Sequence, residues 1–273
     1  MTSYDNIRKN LSDVWIIEVK GGQEADGTTE NRDNYAPNNV QIVVQGNYVA
    51  GLDKEEVIAL IQSYGYVNRE EIIDIVKDTI DNIPQDKRIQ PNKRLFVPLI
   101  QQLSYSTDDA LLKESYKKLL ESSMNLDKIS YVHPAFLNII SQLCSDEIKI
   151  LNSLPPVLLH LEPVINMRMK IGNQEGLGIK QVKYFSDIGY GKCTFPENIC
   201  QYLENLERLK LIEIPFGKLL IDQTKYDRLI NHYALEAVRN KNKSTGTVSI
   251  NYEYDKMYFQ LTSLGVNFIT CCK

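Results

Sequence analysis

Apolar residues recur at three- to four-residue spacing from Leu52 onward for about a hundred residues, which is the periodicity of amphipathic α-helices. This spacing predicts one helix from Lys54 to Gln62 and a second from Arg69 to Asn82, with Pro84 ending the second. The next stretch, PNKRLFVPLIQQLSYS, also predicts a helix, in which Pro98 either kinks the chain or lies in the first turn. The pattern therefore predicts a mainly helical first half.

The stretch DDALLKESYKKLLESSM gives the clearest helix, because its leucines, Tyr116 and Met124 form a broad apolar stripe. Thr107 precedes it and is the expected N-cap. Asp108 and Asp109 then lie at the positive end of the helix dipole.

Two further helices are predicted within YVHPAFLNIISQLCSDEIKIL, because a separate apolar face follows each of two helix-start signals. Pro134 lies where a first-turn proline belongs, and Ser145 is the expected N-cap of the second helix.

The same stretch brings together a histidine, a cysteine and two carboxylates, a set that invites a catalytic or metal-site hypothesis. Asp146 and Glu147 fall in the first turn of a helix, where the helix dipole alone accounts for them. We expect Cys144 to be a small buried apolar residue. His133 could bind a metal or act as a base, but a histidine just before a helix favours capping or packing.

The pattern changes after Pro155 and Pro156, which mark the best domain boundary. Beyond it we predict a hairpin or irregular segment, a helix from Glu197 to Leu209, and a short strand from Leu211 to Ile214. YDRLINHYALEAVRN predicts one helix, TGTVSINYEYDKMYFQLT one or two strands, and LTSLGVNFITCCK a final helix. This order is typical of a winged-helix-like module.

Residues 1–50 differ from the rest of the chain. Residues 20–39 are rich in glycine, acids and amides, which predicts a flexible linker. DVWIIEV before it predicts a short strand or an anchoring segment, and VQIVVQGNYVAG after it predicts a short strand or an extended arm. The predicted fold class is thus mainly α, with an N-terminal extended arm (1–50), a multi-helix domain (51–155) and a winged-helix-like α+β domain (156–273).

Composition and charge set limits on location and partners. The net charge of −4 and the pI near 5.6 give no global attraction to nucleic acid or to an anionic membrane. The chain shows neither a signal-peptide pattern nor a run of about 20 apolar residues, so we expect a cytoplasmic protein that does not bind a membrane. The 5 cysteines are odd in number and scattered, which indicates reduced thiols.

Motifs that carry chemistry are missing from the sequence. There is no phosphate-binding loop, no G-x-S-x-G elbow and no zinc-type pairing of cysteines, and His133, His160 and His232 are far apart. The adjacent Cys271 and Cys272 are most simply packing residues. We therefore expect no catalytic residue, no cofactor and no metal site.

One basic run deserves a separate hypothesis, because phosphate neutralisation drives nucleic-acid binding. RNKNKSTG carries Arg239, Lys241 and Lys243, where a wing tip or mobile loop is expected. These residues are candidates for contact with a nucleic-acid backbone, although a solvated loop explains them as well. From Glu197 to Lys273 the chain has 10 basic and 9 acidic residues, so the region as a whole is almost neutral.

Four segments together resemble the bacterial abortive-infection alpha family of phage-defence proteins. They are FVPLIQQLSYSTDDALLKESYKKLLESSMN, VHPAFLNIISQLCSDEIKIL, NLERLKLIEI and FQLTSLGVNFITCC, and the match spans roughly Asn92 to Lys273. The resemblance implies a cytosolic protein that defends a bacterium against phage. It implies no particular reaction.

Three hypotheses follow. The leading one is a non-enzymatic defence protein that recognises a phage or host component, with a protein as the expected partner. The second is a nucleic-acid-binding regulator that uses the winged-helix-like module. The third is a self-assembling effector, in which VQIVVQGNYVAG pairs between copies of the chain to form a homo-oligomer.

Overall fold

Helices dominate the chain from residue 69 to residue 153, and helices alternate with an antiparallel sheet beyond it. The computed structural model describes residues 55, 57–59, 69–106, 109–172, 178–242 and 249–273. The predicted linker, arm and N-terminal strands lie outside the described residues. The mainly helical fold class is confirmed, together with a four-stranded sheet in the C-terminal half.

The helices of the first half follow the apolar periodicity of the sequence. Their bounds are α1 Arg69–Asp81, α2 Lys93–Tyr105, α3 Ala110–Ser123, α4 Ala135–Ile140 and α5 Ser145–Ser153. The predicted helix from Arg69 to Asn82 is confirmed as α1. Of the predicted helix from Lys54 to Gln62, the described residues 55 and 57–59 are helical. Pro98 lies inside α2 and not in its first turn.

Helix α3 is the centre of the helical half. It packs against α1, α2, α4 and α5, and against a helix from the end of the chain. Its apolar stripe is buried, with Leu119 and Leu120 at 0% exposure. The N-cap is Asp109, whose carboxylate accepts hydrogen bonds from Leu111 N and Leu112 N, so the assignment of the cap to Thr107 is wrong. A carboxylate satisfies two free helical N–H groups in this way.

The sheet contains four strands in the order β2-β1-β4-β3, and every pairing is antiparallel. The strands are β1 Glu162–Ile171, β2 Ile179–Phe185, β3 Ile212–Glu213 and β4 Ile250–Leu261. β1 and β2 confirm the predicted hairpin, and β4 is one long strand. The register of β1 with β2 shifts near Ile165, where Asn166 Oδ1 accepts a hydrogen bond from Tyr184 N.

Four helices accompany the sheet. They are α6 Ile199–Arg208, α7 Thr224–Ile230, α8 Tyr233–Lys241 and α9 Ser263–Cys272. The single helix predicted for YDRLINHYALEAVRN is wrong, because the chain breaks at Asn231 and His232 into α7 and α8. His232 takes extended backbone geometry there, and its Nδ1 accepts a hydrogen bond from Ala234 N, which caps α8.

Helix α9 returns the chain to the helical half. The ring of Phe268 meets the ring of Phe136 edge-on, with centroids 5.4 Å apart, and Ser122 Oγ donates to Cys271 O at 3.0 Å. Gly265 allows the close approach of α9 to the β3 segment, since a Cβ there would lie 2.0 Å from Leu211 O. The apolar core thus includes residues from both sides of Pro155, and the predicted domain boundary stays a prediction.

Candidate functional site

The first turn of α5 holds two carboxylates that are almost fully buried. Asp146 is 4% exposed and Glu147 is 3% exposed. A buried ionisable side chain needs hydrogen-bond partners, and the helix dipole alone does not supply them. The dipole explanation for these residues is therefore incomplete.

Asp146 is held by four donors, three of which lie about fifty residues further along the chain. Thr194 N and Phe195 N each donate to it at 2.8 Å, and the Tyr202 hydroxyl on α6 donates at 3.1 Å. Lys149 Nζ, one turn along α5, completes the set at 2.8 Å. The carboxylate therefore joins α5 to the loop before α6 and to α6 itself.

These contacts set the charge of the Asp146 carboxyl. Burial alone would raise its pKa, but the hydrogen bonds from Lys149, from the two backbone N–H groups and from Tyr202 hold the pKa well below its usual value. Burial, with the neighbouring Asp146 carboxylate, also raises the pKa of Tyr202 to about 12. At neutral pH, Asp146 is thus a buried anion that four donors stabilise, one of them the cation Lys149.

Glu147 faces the other way and bridges the same two helices. Its carboxylate accepts from Cys144 N at 2.8 Å, as in a capping box, and from Asn205 Nδ2 of α6 at 2.8 Å. Burial raises the pKa of Glu147, and the hydrogen bonds and the nearby Arg208 only partly offset this effect. The two adjacent acids therefore have pKa values shifted in opposite directions.

Arg208, at the end of α6, is fixed above Glu147 by two amide side chains. Its Nε and Nη2 donate to Asn205 Oδ1, and its Nη1 donates to Gln142 Oε1 at 3.1 Å. Asn205 in turn donates to Gln142 O at 3.0 Å. The guanidinium is thereby oriented, although the residue is exposed.

These groups line an open cleft of about 540 Å³ between the α4–α5 turn and α6. The lining residues are Ser141, Gln142, Leu143, Cys144, Glu147, Gln201, Tyr202, Glu204, Asn205 and Arg208. The cleft combines amides, a fixed cation and a buried carboxyl group of raised pKa, which suits hydrogen-bonded recognition of a polar group.

Cys144 differs from the sequence-based expectation in two ways. It is the N-cap of α5, with Ser145 as the first helical residue, so the assignment of the cap to Ser145 is wrong. It is also exposed and not a buried apolar residue. Partial burial of its sulfur, together with the charge of Glu147, still raises the pKa of the thiol, although nearby backbone N–H groups lower it.

The histidines have local structural partners. His133 Nδ1 accepts from Ala135 N at 3.1 Å, which confirms a capping role at α4. His160 contacts Glu162 at 2.6 Å, and His232 caps α8. Within the described ranges, no group of three or more His, Cys, Asp or Glu side chains is arranged to hold a metal ion.

The candidate basic residues lie at the end of α8. Arg239 is half-buried and donates to Ile230 O at 2.9 Å and to the Tyr254 hydroxyl at 2.8 Å. Lys241 is exposed, and Lys243 lies outside the described residues. Arg239 thus ties α8 to β4, and the proposed nucleic-acid contact stays a prediction.

Sequence reasoning missed the side chains of α6 that complete the cleft. Tyr202, Asn205 and Arg208 lie one helical turn apart, and they meet α5 only because α6 packs against it. Two adjacent acids at a helix start point to different sides of the helix, but nothing in their spacing indicates that either is buried. No helix of the described residues is long and apolar enough to cross a membrane.

Comparison with known proteins identifies the family. The family model described as abortive infection alpha matches residues 68–272, well over half of the 273 residues, and begins earlier than the resemblance at Asn92 suggested. No curated protein matches the chain. A solved structure of an uncharacterized protein from the hydrocarbon-degrading marine bacterium Alcanivorax borkumensis SK2 aligns at 13% identity, over 54% of this chain and 94% of that one, with a TM-score of 0.32. The chain belongs to the abortive infection alpha family.

Proposed function

We propose that this protein is a non-enzymatic abortive-infection defence protein that recognises a phage or host component. The family match over residues 68–272 carries this proposal. The α5–α6 cleft supports it as a recognition site, because its polar side chains are fixed by one another before any ligand arrives. Pre-organised polar groups favour specific binding.

A plaque assay in bacteria tests the proposal. Cells that express the intact protein should give fewer plaques than empty-vector cells, and infected cells should stop growing before phage are released. Leu119→Asp places a charge at a fully buried position of α3 and should abolish protection. If the intact protein gives no protection against any phage of a broad panel, the defence function is wrong.

The cleft is tested within the same assay. Arg208→Gln removes the fixed cation, whereas Arg94→Gln changes an exposed arginine of α2. We expect protection to fall with Arg208→Gln and to persist with Arg94→Gln, with both variants folded by circular dichroism. Equal protection by the two variants would show that recognition does not use the cleft.

The non-enzymatic part of the proposal needs its own measurement. Purified protein should not hydrolyse nucleoside triphosphates, RNA or DNA at enzyme-like rates. Turnover that disappears in Glu147→Gln would replace recognition with catalysis at the cleft, because Glu147 is the buried carboxyl there with a raised pKa.

A nucleic-acid-binding regulator with a winged-helix-like C-terminal half is the second candidate. The exposed Lys241 at the end of α8 favours it. Fluorescence anisotropy with duplex DNA should then show binding that weakens as salt rises and that Lys241→Ala reduces. Absence of binding at low salt would remove this candidate.

A self-assembling effector is the remaining alternative, and its proposed pairing segment lies outside the described residues. Sedimentation velocity over a range of protein concentrations tests it, and a monomer throughout would exclude it.

A further inference from the structure

The turn between β3 and α7 exposes three large apolar side chains within six residues. Phe216 is 98% exposed, Leu219 is 53% exposed and Ile221 is 99% exposed. Phe216 and Ile221 are the most exposed large apolar residues in the described part of the chain, ahead of Leu159 at 85%. Isolated apolar residues on a surface need no explanation, whereas several close together are typical of an interaction site. We call residues 216–221 the apolar turn.

The apolar turn is anchored from inside the fold. Leu220 points inward at 7% exposure, and its N–H donates to the buried Tyr226 hydroxyl at 2.8 Å. Gln223 Nε2 donates to Leu220 O at 2.8 Å. Gly217 has a φ of 71°, which glycine adopts without strain and which turns the chain after Phe216. The three outward side chains are therefore displayed by a fixed backbone.

The charged residue within the apolar turn is the cation Lys218. Lys218 is exposed between Phe216 and Leu219, and Lys225 is exposed at the start of α7. The acid of this segment, Asp222, is turned back toward α7, where its carboxylate accepts from Thr224 N and Thr224 Oγ1. A lysine beside apolar tips can keep its ammonium group at the level of lipid phosphates while the tips enter the acyl region.

The shape of the apolar turn selects between a protein groove and a lipid surface. At 98% and 99% exposure, Phe216 and Ile221 contact almost nothing of their own protein and stand clear of it. A protein partner would need a deep pocket around each tip, whereas a bilayer surrounds projecting side chains without matching their shape. We propose that the apolar turn inserts into the interface of a phospholipid bilayer, so that the protein binds membranes peripherally.

This proposal differs from the expectation that the protein does not bind a membrane. That expectation considered only electrostatic attraction and spanning segments, and the net charge of −4 does oppose long-range attraction to anionic lipid. Insertion of apolar side chains does not depend on net charge. Binding through the apolar turn should therefore persist when salt screens the charges.

Vesicle flotation with the full-length protein tests the proposal independently of any defence activity. The vesicles are phosphatidylcholine alone and phosphatidylcholine with phosphatidylglycerol at about four to one. We expect the wild type to float with both, more strongly with phosphatidylglycerol, and to remain bound at about 0.5 M NaCl. Phe216→Ser/Ile221→Ser should weaken partitioning by about tenfold or more. Tyr105→Ser, at an aromatic residue that is 64% exposed at the end of α2, is the control and should bind like the wild type.

Insertion itself can be read from fluorescence. In a Trp15→Phe/Phe216→Trp variant, the tryptophan at position 216 should shift its emission to the blue with vesicles and be quenched by brominated lipid. The proposal is overturned if the wild type does not float, if the double variant floats equally well, or if Tyr105→Ser loses as much binding. It is also overturned if salt removes the binding, or if the tryptophan at position 216 does not respond.

Discussion

Asp146→Asn is the most informative single change, because it removes one charge from the centre of the contact between α5 and α6 while preserving the shape of the side chain. The asparagine oxygen can still accept from Lys149 Nζ and Thr194 N, whose bonds are both 2.8 Å in the wild type. The new amide nitrogen must then face Phe195 N, itself a donor. Of the groups on that side, only the Tyr202 hydroxyl can rotate to accept.

The expected cost follows from these contacts. Leaving Phe195 N without an acceptor costs about 1–3 kcal/mol, and weakening a charge-assisted bond in a site that is 4% exposed adds a similar amount. We therefore expect the free energy of unfolding to fall by about 3 kcal/mol. For a chain of this size that corresponds to a decrease in Tm of roughly 6–12 °C.

Urea denaturation at neutral pH measures the effect, with Asp127→Asn as the matched control. Asp127 pairs with Lys87 at 2.9 Å, but its side chain is 61% exposed, so its replacement should change stability by less than about 0.5 kcal/mol. The folded-state pKa of Asp146 is depressed, so its stabilisation is complete above the unfolded pKa of about 3.9 and is lost as the pH falls below it. The difference between wild type and Asp146→Asn should shrink under those acidic conditions. Equal stabilities of Asp146→Asn and Asp127→Asn at neutral pH would refute this account of the network.

Three further predictions concern other contacts. Glu147→Gln should flatten the pH dependence of the free energy of unfolding, because the folded pKa of Glu147 is raised above its ordinary 4.5. The wild type should therefore lose stability relative to the variant as the pH rises from 4.5 through the folded pKa. Urea titrations at several pH values test this. Gly265→Ala should lower the free energy of unfolding, measured by thermal melting, by at least about 1–3 kcal/mol, because its Cβ would lie 2.0 Å from Leu211 O. The control Ala234→Gly in α8 should lower it by no more than about 1 kcal/mol. In native protein, maleimide should label the exposed Cys144 first, whereas the buried Cys271 and Cys272 should react only after unfolding; mass spectrometry that found Cys272 labelled early would contradict the packing of α9.

The elements that sequence analysis predicted correctly depend on neighbouring residues. Local residue spacing predicts three features that the structure has: the apolar stripe of α3, the limits of α1, and the hairpin of β1 with β2. The break between α7 and α8 was missed, because His232 looks helical by pattern and acts as a cap only when its ring accepts from Ala234 N.

The cleft was beyond local reasoning for a physical reason. Acids in the first turn of a helix are common and usually solvated, so Asp146 and Glu147 gave no local sign of burial. Their hydrogen-bond partners are Thr194, Phe195 and residues of α6. These partners reach α5 only because α6 and the loop before it pack against α5. The apolar turn was missed for the converse reason, because apolar side chains give no sign in the sequence of pointing outward.

The position of α9 has a consequence for how the protein is made. Helix α3 finds one of its neighbours in a segment far downstream, as the bond from Ser122 to Cys271 spans 149 residues. At about 5–20 residues per second, a ribosome needs roughly 7 to 30 s to cover that distance. During this interval the face of α3 that α9 later covers stays open in every nascent chain. A nonsense codon between α3 and α9 therefore yields a product in which this face of α3 stays uncovered, and such a product is a substrate for protein quality control.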